Sequence, residues 1–404
     1  MTPSIVLLAL SYVLSQFFRA FLAVLAGPLE ADLGTGPDAL AVASGLWFVS
    51  FALMQLPVGW ALDTIGPRRT AAVLFGIGGA GGAAIFAIAT APWHIHSAML
   101  LIGIGCSPVL MASYYIFAKD YAPARFATLA ALMIGVGTVG NLVASYPTAL
   151  AAETIGWRAT MWVLAGLTGA VALGILLLVR DPSEDQSGDN SGSLFDLLRM
   201  PGLWLLFPIM FTNYIPVAAI RGLWIGPYLD DVFGMTTDQV GQATLVMSVA
   251  MIAGVVAYGP LDRFFGTRKW VVVVGNLLCT TAILFLAGMI TQGAGLSIAL
   301  MATIGFLGAS FPVIIAHARS FFPPNLIGRG VTLMNLFGIG GVGVAQFASG
   351  SLHRAVSDGP DPATPYAIIF AVYGALLLIG LLIYLFSSER AQDTVPLSPG
   401  KQRV

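Results

Sequence analysis

The chain has 404 residues, of which 57% are hydrophobic and only 9% charged; 18 basic residues nearly cancel 19 acidic ones, leaving a net charge of −1. Soluble domains carry about 25% charged residues, so this composition excludes a soluble enzyme and a disordered chain, and the balanced charge leaves no field to attract nucleic acid. A polytopic α-helical membrane protein remains, and its 47 glycines suit closely packed membrane helices.

A bilayer core of about 30 Å takes about 20 helical residues. Apolar segments of that length are predicted at Ile5–Ala26, Leu40–Leu62, Ala71–Ala91, Ser97–Phe117, Ala127–Leu150 and Thr160–Val179. A second set follows at Leu203–Ile225, Val240–Tyr258, Trp270–Ile290, Leu296–Ala316, Gly330–Ser349 and Pro365–Phe386. The N-terminus has no basic region and no small-residue cleavage site, so the first segment reads as a retained helix. Cys106 and Cys279 both lie in apolar segments and form no CxxC pair, which argues against a disulfide scaffold or a zinc site.

Between the two sets of six, DPSEDQSGDNSGS (Asp181 to Ser193) is acidic, Gly/Ser-rich and aperiodic, the composition of a linker that cannot bury apolar surface. The chain thus divides into an N-terminal bundle (1–180), a linker (181–201), a C-terminal bundle (202–386) and a tail (387–404). Twelve spans put both termini on one side. That side collects 14 basic residues, whereas the opposite loops hold only Arg158 and Arg354. By the positive-inside rule the termini and linker are cytoplasmic, in a multi-pass protein of the cytoplasmic (inner) membrane.

The halves repeat each other at an offset near 200. After the second segment comes Gly59-Trp-Ala-Leu-Asp63-Thr-Ile-Gly66-Pro-Arg68-Arg69, and after the eighth Gly259-Pro-Leu-Asp262-Arg263-Phe-Phe-Gly266-Thr-Arg268-Lys269. Ala118-Lys119 matches Ala318-Arg319, Pro123 matches Pro323, Gly27-Pro28 matches Gly226-Pro227, and Gly135, Gly137 and Gly140 match Gly338, Gly340 and Gly343. In the first loop Gly59 permits close helix approach, Asp63 caps a helix end and can pair with an arginine, and Arg68 and Arg69 can hold carboxylates or anionic headgroups. Such pairs gate a carrier when they form in one conformation and break in the other; the alternative is that these charges only set topology. This loop resembles the signature loop of the major facilitator superfamily, with a degenerate copy at Gly259–Lys269, and the resemblance covers the whole chain. It departs at Thr64, where a basic residue is usual, and at Pro67. It implies an all-α membrane fold of twelve transmembrane helices in two pseudo-symmetric six-helix bundles, and secondary transport by rocker-switch alternating access.

No Asp, Glu, Lys or His falls within the twelve segments; Arg19 and Arg221 do. Arg19 lies about 21 Å along its helix at 1.5 Å per residue, and Arg221 is 202 residues further on, a nearly equivalent place in the second half. A pseudo-two-fold axis brings such residues together at the interface where parallel-repeat transporters bind substrate. An arginine at a helix centre costs about 2.5–3.5 kcal/mol and cannot shed its proton. With no acid in any segment, the counter-charge is expected to arrive as substrate, a carboxylate or phosphate that fits the guanidinium fork. An ion pair at about 4 Å with a dielectric near 20 gains about 4 kcal/mol before desolvation. The alternative is structural: Arg19 resting on Phe17, Phe18 or Trp47, and Arg221 bonding carbonyls freed by Pro216 or pairing with Asp230 or Asp231. The paired arrangement resembles the organophosphate and organic-anion branches of the superfamily, where arginines on helices 1 and 7 bind the anion; this implication extends to Arg19 and Arg221 only.

Tyr12, Ser15, Gln16 and Arg19 share one helix face, as do Tyr214, Arg221 and Trp224. With Trp47, Tyr115 and Asn335, the residues Tyr12, Gln16, Tyr214 and Trp224 complete the candidate substrate site around the arginines. Asn213, Ser107, Tyr114, Asn141 and Gln346 are further polar candidates, although such residues more often bond helix to helix. Gly76–Gly82 and Gly338–Gly343 read as packing seams, not phosphate loops. His317, Glu30 and Asp32, just beyond segment ends, are the available proton sites, all poorly placed. A monomeric carrier of a small organic anion, without cofactor or metal and in contact with lipid and no nucleic acid, is the resulting expectation. An exporter of lipophilic compounds would place an acid in the cavity; a Cu(I) importer would use Met247 and Met251; a non-transporting receptor lacks any extramembrane domain.

Overall fold

The computed structural model describes residues 3–182, 197–323 and 326–388, so most of the linker and of the tail lies outside it. Among these residues all regular structure is helical. Nine helices are long and apolar enough to cross a membrane, and twelve when each of three bent pairs is taken as one span. In chain order, α1 comprises Pro3–Phe17 and Leu22–Leu33, α2 Pro37–Leu53 and Gln55–Thr64, α3 Pro67–Ala87, α4 Pro92–Asp120, α5 Pro123–Val143 and Tyr146–Ile155, and α6 Trp157–Leu178. The second six are α7 Pro201–Phe233, α8 Thr237–Phe265, α9 Arg268–Gly288, α10 Ala294–Arg319, α11 Ile327–Val356 and α12 Thr364–Tyr384.

Every predicted segment overlaps one of these helices. The ends differ, because hydropathy falls at the first charged side chain whereas backbone hydrogen bonding continues. α1 and α11 each run seven residues past their predicted ends at Ala26 and Ser349. Glu30, Asp32, His353 and Arg354 therefore stand on helices. His317, placed by the sequence just beyond a span, lies within α10, buried, with Nδ1 2.6 Å from the Tyr384 hydroxyl.

Local chemistry sets the helix starts. Proline opens α2, α3, α4 and α7, where its missing N–H costs no hydrogen bond. Thr236 and Gln239 form a reciprocal capping box before α8. Gly34 and Gly234, 200 residues apart, end α1 and α7 at the same φ of 62°.

The surface is inverted relative to a soluble protein. Val256, Ile77 and Leu177 are each about 70% exposed on outer helix faces, where lipid is the solvent. Inside each half, glycines let backbones touch. A Cβ at Gly105 of α4 would stand 2.1 Å from the Gly79 nitrogen of α3, so the Gly76–Gly82 stretch packs helix on helix.

An even number of spans puts both chain ends at one face, here the terminal face; the other is the far face. The halves meet most extensively toward the far face. There α2 packs along α11, the second segment of α5 along α8, and the second segment of α1 crosses α7. Asp38 of α2 is paired with Arg354 of α11 (2.5 Å), and Gln346 donates to Ser44 (3.1 Å). Asp238, 200 residues after Asp38, gives its backbone N–H to the Glu153 carboxylate (2.9 Å). Among the described residues the terminal-face ends of α2 and α4 and the start of α3 pack chiefly within their own half. Among the glycines, the closest approach across the halves is at Gly226 of α7, where a Cβ would lie 2.0 Å from the Ala23 carbonyl oxygen of α1.

This crossing generates a test. A Gly226→Leu side chain must separate α1 from α7, and overpacking of this kind costs about 1–3 kcal/mol, enough to raise the far-side-open population about tenfold. Thr35 is fully buried at the far face, so a Thr35→Cys reporter should resist an impermeant maleimide in the parent and react in Gly226→Leu. Unchanged labelling would show that this crossing does not hold the far face shut.

Candidate functional site

The two arginines both occupy irregular backbone. Arg19 sits in the break of α1, between segments inclined by 54°, where the Ala20 N–H turns back to the Phe17 carbonyl (2.9 Å). Arg221 sits in a five-residue π-helical turn, Ile220–Trp224, of α7. Pro216 just before it donates no N–H to the preceding turn, and the wider turn restores the ladder. Irregular backbone at membrane depth persists only where it is enclosed by protein or lines a cavity.

The side chains converge. Tyr214 faces both guanidinium groups, and Tyr12 faces Arg19 and Tyr214. Arg19 is half-buried, its guanidinium carbon 5.3 Å from the Trp47 ring centre and 5.4 Å from that of Phe51, two rings stacked on each other. Gln16 donates to the Tyr12 hydroxyl (3.1 Å), and its carbonyl oxygen has no protein partner. Arg221 is 1% exposed and donates from Nη1 to the Asn141 Oδ1 (2.8 Å). Nε of each arginine lacks a partner. Among the described residues the ion pairs are Arg68–Asp181, Arg158–Asp32 and Arg354–Asp38, so no carboxylate is paired with Arg19 or Arg221. Two like charges desolvated side by side repel, and an anion placed between them relieves both penalties.

The other expected site residues take varied positions. Tyr115, near the terminal-face end of α4, is directed at Asp63 and not at the arginines; its neighbour Tyr114 faces Tyr12. Trp224 is fully buried one turn beyond Arg221 and donates to Gln346 (3.0 Å) and Ser349 (3.1 Å). Asn335 is half-buried on α11. Asn213 bonds Asn276 and Ser310 inside the C-terminal half. Phe17 and Phe18 pack with Phe21, not under Arg19. Asp231 accepts from Tyr366, and Asp32 is taken by Arg158 and Trp157. Met247 and Met251 are buried where α8 meets Gly305 of α10, a packing seam. Phe51 escaped the sequence reading, because nothing but its spacing of four from Trp47 marks it.

At the terminal face the first signature loop is tied by an unforeseen partner. Asp181, the first linker residue, accepts from the Arg68 N–H (2.8 Å) and pairs with its Nε (3.4 Å). Asp63 instead lies beside Tyr115, and Arg69 is exposed. Gly66 has φ 98° and ψ 152°, a glycine-only region, and hands the chain to Pro67 at the start of α3. Gly59, expected to allow close helix approach, has nothing within 4 Å of a would-be Cβ, and the same holds for Gly259. In the second loop Gly266 ends α8, Arg268 donates to the Ala316 carbonyl (3.2 Å), and Lys269 to those of Leu385 and Ser387 (both 2.7 Å). These cations sit on the carbonyl ends of α10 and α12, where the helix dipole favours them. The side chains of Asp262 and Arg263 lie outside the described residues.

A twofold-repeated bundle of twelve spans with a charged pair at its interface has the form of a membrane carrier. The model of the Major Facilitator Superfamily matches residues 8–223 and again 206–403, and the chain belongs to that family. It is thus a multi-pass membrane transporter and not an enzyme. A Pseudomonas putida protein named for metabolite transport, NicT, is 22% identical over 87% of this chain and 85% of its own length. An MFS-type efflux pump of Mycolicibacterium smegmatis is 23% identical over 95% and 91%, and an Agrobacterium vitis protein named for tartrate transport 21% over 95% and 91%. Among solved structures, a bacterial homologue of the human lysosomal transporter Spinster superposes with a TM-score of 0.74 at 17% identity, covering 95% of this chain and 96% of that one. That likeness is one of fold.

The two loop glycines differ in a measurable way. Gly66→Ala forces a side chain into a strained region and should lower stability by about 1–3 kcal/mol, whereas Gly59→Ala should change it by less than about 0.5 kcal/mol. Thermal unfolding of the two purified variants decides this; equal midpoints would contradict the loop geometry.

Proposed function

We propose that this protein is a secondary transporter of small organic anions, carboxylate- or phosphate-bearing, with Arg19 and Arg221 as the paired anion ligands. The observation that carries the reading is two permanently charged guanidinium groups from opposite halves, facing one tyrosine, with free Nε donors and no carboxylate partner among the described residues. Tyr12, Gln16, Tyr214 and the Trp47–Phe51 stack complete the chamber. A relative named for tartrate transport agrees with an anionic cargo. Residues 1–180 and 202–386 act as the two rocking bodies, joined by the 181–201 linker and followed by the 387–404 tail. The basic bias of the terminal face makes it cytoplasmic, so the far-face packing corresponds to an inward-facing carrier, monomeric in the inner membrane. The first loop, through Gly66, Arg68 and Asp181, steadies the cytoplasmic side.

A second reading, export of lipophilic compounds, rests on the efflux-pump relative. An arginine pair repels cationic drugs, and the same screen separates the readings. Gallate, tartrate, succinate or phosphate should raise the melting temperature of the purified protein by mass action, and lipophilic cations should not.

Removing a buried charge from a hydrogen-bonded ion pair costs about 2–5 kcal/mol, so Arg19→Gln and Arg221→Gln should each reduce uptake of the stabilising anion into proteoliposomes by about thirtyfold or more. Normal uptake by well-folded Arg19→Gln protein rules the assignment out.

A further inference from the structure

The hydrogen bond from Arg221 to Asn141 crosses between the halves: Asn141 belongs to α5 and Arg221 to α7. Both side chains are almost wholly buried, 2% and 1% exposed. It stands at the layer where the far-side seal begins, since Gly222, next to Arg221, approaches the Arg19 carbonyl (a Cβ there would lie at 3.2 Å) and Gly226 approaches Ala23 one turn further out. An amide oxygen 2.8 Å from a guanidinium nitrogen occupies the place of a carboxylate oxygen, at a fraction of its charge.

The repeat does not require this contact. Gly140 corresponds to Gly343, so the counterpart of Asn141 is Val344, an apolar residue on the outer surface. Arg19 accordingly has no mirrored acceptor and rests on Trp47 and Phe51. Arg19 lies against aromatic faces of its own half and shares Tyr214 with Arg221, whereas Arg221 alone has a neutral amide acceptor from the opposite half.

We propose that Asn141 is a built-in stand-in for the anion: it bridges the halves through Arg221 while the site is empty, and an arriving anion displaces it and takes over the bridge between Arg221 and Arg19. This rests on the reading of Arg221 as an anion ligand. The exchange keeps the far side closed in both the empty and the loaded carrier. It also makes Asn141 a competitor that weakens anion binding and favours release on the side where the carrier stands open.

The test uses the full-length protein carrying Thr35→Cys, with Asn141→Ala and Asn141→Asp, and gallate, tartrate and phosphate as probes. Loss of a hydrogen bond to a charged group corresponds to about tenfold or more in an equilibrium. Without anion, Asn141→Ala should label about tenfold faster at the far face, and the stabilising anion should return labelling to the parent rate. The half-saturating anion concentration, read by thermal shift, should fall about tenfold in Asn141→Ala, because the internal competitor is gone. Asn141→Asp keeps the shape and adds the charge, so it should raise the anion-free melting temperature and abolish the anion response. Parent labelling and parent affinity in Asn141→Ala would overturn the proposal. If none of the probes stabilises the parent or either variant, the anion reading fails, and displacement with it. If anions bind and Arg221→Gln abolishes the response but Asn141→Ala changes nothing, the function stands and only the stand-in role falls.

Discussion

Arginine cannot give up its proton at any pH the protein meets, and an apolar interior penalises every uncompensated charge. Two arginines at equivalent places in a repeated chain therefore constrain everything around them. The protein meets the constraint with weak partners: the faces of Trp47 and Phe51, the Tyr214 hydroxyl and the Asn141 amide. Each contact lowers the cost of the buried charge without cancelling it, and the proposed anion would supply the remaining compensation.

The backbone follows the same constraint. α1 breaks at Arg19 and α7 widens at Arg221, so the side chains leave their helices where regular hydrogen bonding is interrupted. Immediately beyond, α1 and α7 cross at glycine with no room for a side chain, and the Asp38–Arg354 pair and the Glu153 contact to Asp238 continue the closure to the far face. Charge, irregular backbone and seal thus occupy consecutive layers.

The terminal face is organised differently. Its cations are engaged with helix ends and with the chain that connects the halves: Arg268 and Lys269 on carbonyls, and Arg68 on Asp181. The Arg68–Asp181 pair is about one-third exposed on each side, so solvent screens it and it can exchange readily.

Hydropathy alone marked twelve apolar segments, each overlapped by a helix, and the loop and glycine matches marked the repeat, because in lipid every backbone group must be satisfied within its own helix and an apolar run of sufficient length then forms one. It also marked Arg19 and Arg221, since a charge in an apolar run is visible without coordinates. Helix ends were less legible: α1 and α11 continue through charged residues that still form backbone bonds. The partners of the charges were legible only in part: Trp47 was in view as a ring beneath Arg19 and Asn141 as a polar candidate, but no pattern paired Asn141 with Arg221. Asn141, Phe51 and Asp181 reach their arginines across separations of 80, 32 and 113 residues, while Tyr115 and Trp224, close to the site in sequence or by periodicity, point elsewhere. The physical reason is that one-dimensional pattern encodes which groups must leave water, whereas the identity of their neighbours depends on the rotation and crossing of helices, and that is settled only when the whole bundle packs.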